Sequence, residues 1–278
     1  MMLDLIQGTF HFHSTYSHDG RSTLSQIATG LSRQGLSFCI MTEHFEDFNE
    51  PKFDRYIREI DAISKSNGFL LIPGMEVDIT GLHTIVFPVR DYGELVQLAS
   101  GDAQNQPAMF RVLAHPSKYP FERVAEHLEK YKIDGIELWN QQADGGFVPP
   151  LRFLESLRTQ PGRAQYRYFF GCDIHNVNLK VKNIISLETS RHQTSQAIIN
   201  ALISGAFVSR NDPTEIEYRN GSDGTDFDTW VQTLLSKPDY RGRLLLLVRR
   251  CLRSSYKMLP RRVQHSLNDV KNFVRNKV

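Results

Sequence analysis

Ten histidines punctuate this 278-residue chain, and several stand beside carboxylates at spacings that suit metal binding. His11-Phe-His13 comes first. In an extended strand, residues two apart share a face, so both imidazoles project one way and Phe12 the other. Two neutral imidazoles from one strand begin a transition-metal site. The same pair equally describes one core histidine and one loop histidine. Ser17-His18-Asp19-Gly20 adds a third imidazole in a turn, and Glu43-His44, Gly74-Met75-Glu76 and Ala114-His115-Pro116 follow. Gly171-Cys172-Asp173-Ile174-His175 repeats the i, i+2 pattern with a carboxylate and an imidazole. Each alone has an ordinary structural reading; their recurrence points to one shared site. A histidine-rich set of this kind suits zinc, manganese or iron better than calcium, which prefers all-oxygen shells. Ions held by such a set act as Lewis acids and lower the pKa of a bound water, so no Ser or Cys nucleophile is required for hydrolysis.

The elements that must carry these residues alternate in type. Short apolar runs bounded by Gly, Pro or polar residues read as buried strands at Gly8–His13, Leu36–Thr42, Phe69–Glu76, His83–Val89, Arg111–His115, Gly135–Trp139, Tyr168–Cys172, Ile184–Leu187 and Ala206–Ser209. Between them, helical periodicity appears at Ser22–Gly35, from Pro51 onward, and at Phe121–Lys130, Pro150–Arg158 and Thr194–Ser204. Repeated βα units imply an α/β protein with a largely parallel sheet, open or closed into a barrel. In a barrel the C-terminal strand ends share one rim, and each chemistry-bearing group falls where a strand gives way to a loop.

In order and in kind, this series resembles the PHP family, named for the polymerase and histidinol phosphatase proteins that share the domain. The resemblance covers about the first 210 residues. It implies a distorted (β/α)7 TIM-like barrel whose rim holds two or three divalent metal ions, and hydrolysis of a phosphate ester by a metal-bridging hydroxide. It places His11, His13, Glu76 and Asp173 on one ion. Glu76 bridges to a second ion held by His83 and His115, and His18, His44 and His175 hold a third. His83 enters by position alone, and Cys172 stands where many members have Ser.

Asp19 and Glu43, beside these ligands, are candidates for orienting them or carrying protons. Arg21, Lys118 and Arg210 follow strand ends and are candidate phosphate contacts, with Asn140 as a substrate or ligand-orienting contact. Glu137 reads equally well as buried structure. His127, His192 and His265 lie on helical segments and receive no chemistry.

Composition is that of an ordinary globular protein, 40% apolar and 23% charged, which excludes collagen-like, coiled-coil and grossly disordered classes. The formal charge of +2 conceals a division: residues 237–278 hold 12 Lys and Arg against 2 Asp and Glu, and residues 1–236 hold 21 against 29. The body, residues 1–212, is expected to be the phosphoesterase barrel, 213–236 a linker and helix, and 237–278 a basic helical extension. Arg243–Leu259 places Leu244, Leu247, Val248, Cys251 and Leu252 on one helical face and Arg249, Arg250, Arg253 and Lys257 mainly on the other. Such a helix suits an anionic membrane surface, nucleic acid or packing on the acidic body. No signal peptide is visible in Met1–Phe10, and Cys39, Cys172 and Cys251 form no disulfide framework, so a reducing cytoplasm is expected, with peripheral membrane contact through the tail. A small phosphorylated metabolite is the expected substrate, a nucleic-acid phosphodiester the alternative, and a non-enzymatic metal-stabilised module recruited through the tail the third reading.

Overall fold

The computed structural model describes residues 4–102, 107–189, 194–221 and 224–236. Met1–Leu234 forms one compact unit and Leu235–Val278 a second. The basic amphipathic helix expected at Arg243–Leu259, and the helix expected after Pro260, lie outside the described residues.

The strands are β1 (Asp4–Phe12), β2 (Phe38–Met41), β3 (Glu43–His44), β4 (Leu70–Ile72), β5 (Met75–Ile79), β6 (Leu82–Phe87), β7 (Phe110–Leu113), β8 (Gly135–Asn140), β9 (Arg167–Gly171), β10 (Asn183–Thr189), β11 (Val208–Asn211) and β12 (Ile216–Arg219). The helices are α1 (Leu24–Arg33), α2 (Glu50–Asn67), α3 (Tyr92–Ala99), α4 (Phe121–Lys130), α5 (Leu151–Leu157), α6 (Ser195–Ser204) and α7 (Phe227–Ser236). The described strands pair as two six-stranded sheets, in the orders β12-β11-β10-β1-β2-β4 and β3-β5-β6-β7-β8-β9, and not as the one closed ring that a (β/α)7 barrel requires. Pairing is also mixed. The β5–β6 turn is Thr80-Gly81, both at positive φ. A connection that short leaves no room for a crossover helix, so β6 must run antiparallel to β5, and β7 is antiparallel to β6 in turn.

One stretch of chain passes from sheet to sheet where β2 leads into β3 across Thr42, and another where β4 leads into β5 across Pro73-Gly74. The run Phe69–Glu76, which reads as one strand, is therefore two; Pro73 has no N–H to offer a ladder. At Gly74 a Cβ would meet the Met41 carbonyl oxygen at 2.5 Å, so only glycine allows that approach. Beyond β9 the backbone bonds back to β1: Cys172 N–H donates to Phe10 O (2.9 Å), Asp173 N–H to His11 O (2.7 Å), and His13 N–H to Ile174 O (3.0 Å).

Phe10 of β1 meets Phe169 of β9 with ring centroids 4.8 Å apart and Phe87 of β6 at 5.9 Å, so side chains of both sheets share one core. A second cluster forms under α1 and α2. Helix α1 begins with a Thr23–Gln26 capping box and buries Leu24, Ile27, Ala28 and Leu31, the i, i+3, i+4, i+7 stripe that amphipathic periodicity predicts. Of the stretch 213–236, expected as a linker and helix, the part up to Leu234 falls within the first compact unit. Strand β12 pairs with β11, Trp230 Nε1–H donates to Glu217 O (2.8 Å), and the Asn220 side chain accepts from Tyr168 N–H (2.7 Å).

Candidate metal centre

Five non-glycine residues among those described have positive φ, and three of them are His11 (71°), His115 (31°) and Asp173 (54°). A left-handed backbone costs a non-glycine residue about 1–2 kcal/mol, and such strain persists only where surrounding contacts hold it. His11 sits at a register shift between β1 and β2, so His11 and His13 are not simple alternate residues of a flat strand. Their rings nevertheless converge, with centroids 5.3 Å apart.

Two carboxylates organise the centre. Oε2 of Glu76 lies 3.6 Å from Nε2 of His11, 3.5 Å from Nε2 of His13 and 3.3 Å from Nδ1 of His44. Its Oε1 lies 2.8 Å from both Nδ1 of His83 and Nε2 of His115. Oδ1 of Asp173 lies 3.6 Å from Nε2 of both His11 and His13. Three groups therefore have ligand atoms close enough to share an ion: His11, Glu76 and His115; His11, His13 and Asp173; and His13, Asp19, His44 and His175. His83 joins through its bond to Glu76.

The electrostatics follow from this packing. Burial alone would raise the Glu76 carboxyl, yet the imidazoles of His11, His115 and His83 outweigh it and hold the group well below the carboxylate range. Burial likewise works against ionised Asp173, and His11 and His13 overcome it. His11 is lowered by burial but raised more by Glu137, Asp173 and Glu76, and ends well above an ordinary histidine. His13, also fully buried, is brought down to about 4, chiefly by desolvation.

His18, Asp19 and Glu43 take distinct places around this centre. The ring of His18 stacks on that of His44, with centroids 5.2 Å apart, but His18 is not in the group whose ligand atoms lie close together with those of His44 and His175. Its Nδ1 lies 2.8 Å from Oδ2 of Asp47, and its side chain is 61% exposed. Asp19 takes that place, with Oδ2 2.9 Å from Nε2 of His175 and 3.4 Å from Nε2 of His44. Glu43, in turn, is fully buried and faces the loop. It accepts from the backbone N–H of Ser14 (3.0 Å) and from the hydroxyls of Ser14 and Ser17 (both 2.6 Å). Burial pushes its carboxyl up, opposed by these donors. Ser17 Oγ also accepts from His44 N–H (3.0 Å) and lies 3.5 Å from Nδ1 of His13, so Glu43 reaches both residues through Ser17.

Among the expected phosphate contacts, Lys118 places Nζ 3.4 Å from Oδ2 of Asp173 and is 42% exposed. Asn140 donates from Nδ2 to Oδ2 of Asp173 (3.3 Å) and to Oε2 of Glu137 (3.0 Å). Arg21 is exposed, and its backbone N–H donates to His175 O (2.7 Å). Arg210 is elsewhere: it pairs with Asp212 (2.6 Å) and lines a groove with Glu188, Glu217 and Arg219. The residue whose role sequence left open is Glu137. Its Oε1 lies 3.0 Å from Nδ1 of His11, and its Oε2 accepts the His115 backbone N–H at 2.6 Å. A carboxylate inside an otherwise apolar strand, Gly135-Ile-Glu-Leu-Trp, is the signal that it needs a buried partner.

Neither a protein-family model nor a curated protein sequence matches the chain. Solved structures do. PsfC from Pseudomonas syringae PB-5123 is 14% identical over 71% of this chain and 88% of its own, with a TM-score of 0.50. The lesion-specific endonuclease PfuEndoQ from Pyrococcus furiosus is 14% identical over 72% of this chain, with a TM-score of 0.51. Endonuclease Q in complex with a 27-mer duplex carrying an abasic lesion at its active site is 15% identical over 72% of this chain, with a TM-score of 0.50. The match spans 56% of each endonuclease chain. At these identities the likeness is one of fold.

Proposed function

We propose that this chain is a metal-dependent phosphoesterase acting on a small phosphorylated substrate. One observation carries the reading: Nε2 of His11, Nε2 of His13 and Nδ1 of His44 are buried without a hydrogen-bond partner, each facing Glu76 or Asp173 at 3.3–3.6 Å. Unpaired buried polar atoms are costly, and several directed at two carboxylates fit cations between them. The donor set is mainly imidazole, which favours zinc, manganese or iron over calcium. His11, His13, Glu76 and Asp173 would hold one ion; Glu76, His83 and His115 a second; and Asp19, His44 and His175, with His13, a third. When bound, such ions supply Lewis acidity at phosphoryl oxygens and a water of lowered pKa.

The chain's own groups complete the site. Lys118 Nζ, the ammonium next to Asp173, is placed to pair with a phosphoryl oxygen. Asn140 holds one oxygen of Asp173 while its own Oδ1 accepts from the backbone N–H of Gln142 (3.0 Å) and Ala143 (2.8 Å), which orients its amide. Glu137 keeps the His11 ring turned so that Nε2, not Nδ1, faces Glu76 and Asp173.

A nucleic-acid phosphodiester is the second reading, favoured by a polar groove lined by two arginines beside His175. The role of the basic tail, at an anionic membrane or along nucleic acid, is a separate proposal about residues 237–278. The test is metal analysis of the purified chain together with turnover of p-nitrophenyl phosphate, bis-p-nitrophenyl phosphate and short oligonucleotides in Mn²⁺ or Zn²⁺. Bound transition metal and turnover of the monoester are expected. Metal-replete protein that hydrolyses none of the three would refute the proposal.

A further inference from the structure

A groove of about 540 Å³ begins at Arg21, two residues beyond Asp19, and at Asn176, the residue after His175. From there it follows one face of α1 through Ser22, Ser25, Gln26, Thr29, Gly30 and Arg33. These positions recur at helical spacing, and the ten helical residues Leu24–Arg33 carry the face over roughly 15 Å. The opposite wall is the 176–178 loop. A Cβ on Gly30 would lie 2.4 Å from Cγ2 of Val177, so glycine at this position lets the loop approach the helix.

The lining is chemically one-sided. It contains two guanidinium groups and no carboxylate. Two of its three carboxamide oxygens are engaged: Gln26 Oε1 accepts from Thr23 N–H (2.9 Å) and Asn176 Oδ1 from Asn178 N–H (3.0 Å). Ser22 Oγ likewise accepts from Val177 N–H (3.1 Å). Those contacts leave the amide NH₂ groups, the hydroxyl hydrogens and the arginines to face a ligand. A wall that offers donors and positive charge selects for an anion, and guanidinium is the side chain best matched to phosphate.

Resting on the phosphoesterase reading, we infer that this groove binds a second, non-scissile phosphate of the substrate. Arg21 stands at the end next to the reacting phosphate and Arg33 at the far end. The substrate class is then a molecule with at least two phosphates spaced along a chain, whether a bisphosphate or a short nucleotide strand. Lys118 and the metal centre serve the phosphate that reacts; the α1 groove serves the one that does not.

The test compares matched p-nitrophenyl esters with the full chain in Mn²⁺. One pair is octyl p-nitrophenyl phosphate with and without a phosphate on the far end of the alkyl chain. The other is thymidine 5′-(p-nitrophenyl phosphate) with and without a 3′-phosphate. The readout is the ratio of kcat/KM with the second phosphate to that without it. The native ratio should exceed ten in at least one pair, and Arg33→Glu and Thr29→Glu should each reduce it about tenfold or more. A gain in the alkyl pair identifies recognition of phosphate itself, and a gain confined to the thymidine pair identifies a nucleotide strand. A native ratio near one, or a ratio that neither substitution changes, overturns this inference and leaves the phosphoesterase reading standing. Turnover of p-nitrophenyl phosphate with none of the four diesters also overturns this inference alone, and no turnover of any ester, p-nitrophenyl phosphate included, overturns both.

Discussion

Glu137 Oε1 lies 3.0 Å from Nδ1 of His11, although the two residues are 126 positions apart in the chain. The other carboxylate oxygen accepts the His115 backbone N–H, so one buried group on β8 fixes two proposed ligands, one by its ring and one by its backbone. A Cβ at Gly171 would fall 1.5 Å from that same Oε1, which leaves the contact room only because residue 171 has no side chain.

Glu137→Gln should therefore lower metal affinity by about 10–100-fold, the usual effect of removing a carboxylate that orients a ligating histidine, while the circular dichroism spectrum stays native. Gly171→Ala should act in the same direction by displacing the carboxylate. Chelator competition measures both. Unchanged affinity in Glu137→Gln would show that His11 needs no such support.

Asp19 and His18 are neighbours with opposite fates. Asp19→Asn should reduce bound metal and slow hydrolysis, because Oδ2 bridges His44 and His175. His18→Ala should cost less metal than Asp19→Asn, since its ring turns to Asp47. Metal content per chain, measured on the two variants side by side, decides between them; the reverse order would restore His18 to the ligand set.

His127 on α4 is buried against Tyr131, with ring centroids 4.5 Å apart, and Nε2 has no hydrogen-bond partner. Desolvation first, then Lys130 and Arg123, lower its pKa to about 4. The unfolded chain has an ordinary histidine there, near 6.5. Between those values the unfolded state binds the proton and the folded state does not, so stability is fully present above about pH 6.5 and falls as pH drops toward 4. His127→Phe should flatten that part of the Tm–pH curve relative to the native chain. Parallel curves for the two proteins across pH 4–7 would rule His127 out as a contributor.

The compact unit extends to Leu234, and its last helix packs by Phe227, Trp230, Val231 and Leu234. A chain ending at residue 236 should fold and hydrolyse a small ester, whereas one ending at 212 should not fold, since it loses β12 and the Asn220 bonds to Tyr168. Trp230→Ala should cost about 3–5 kcal/mol in a denaturant titration. Full stability of the 212-residue chain would return this segment to a linker.

What could be read in advance divides by the kind of information each feature needs. Helices α4 and α1 were legible to within a turn, because a 3.6-residue apolar period, joined in α1 by the Thr23 cap, is a local signal. Helix α3 and strand β12 were missed. Both are short, β12 alternating over only Ile216–Arg219, and their stability comes from what they pack against.

For the site, sequence by itself determined the chemical inventory: the imidazoles and carboxylates, their placement where strands end, and hence transition-metal chemistry as the expectation. Residue type and spacing are local properties and survive without a fold. Which groups meet is set by the folded backbone. It set Asp19 against His44 and His175, turned Nδ1 of His18 to Asp47, joined Glu43 to Ser14 and Ser17, drew Glu137 to His11, and set Arg210 apart. It also paired the described strands as two sheets where the family resemblance implied one barrel. Those outcomes depend on where a turn aims a side chain and on which distant strand lies alongside. Both are settled by backbone dihedrals and packing across the whole unit, information that no short stretch of sequence contains.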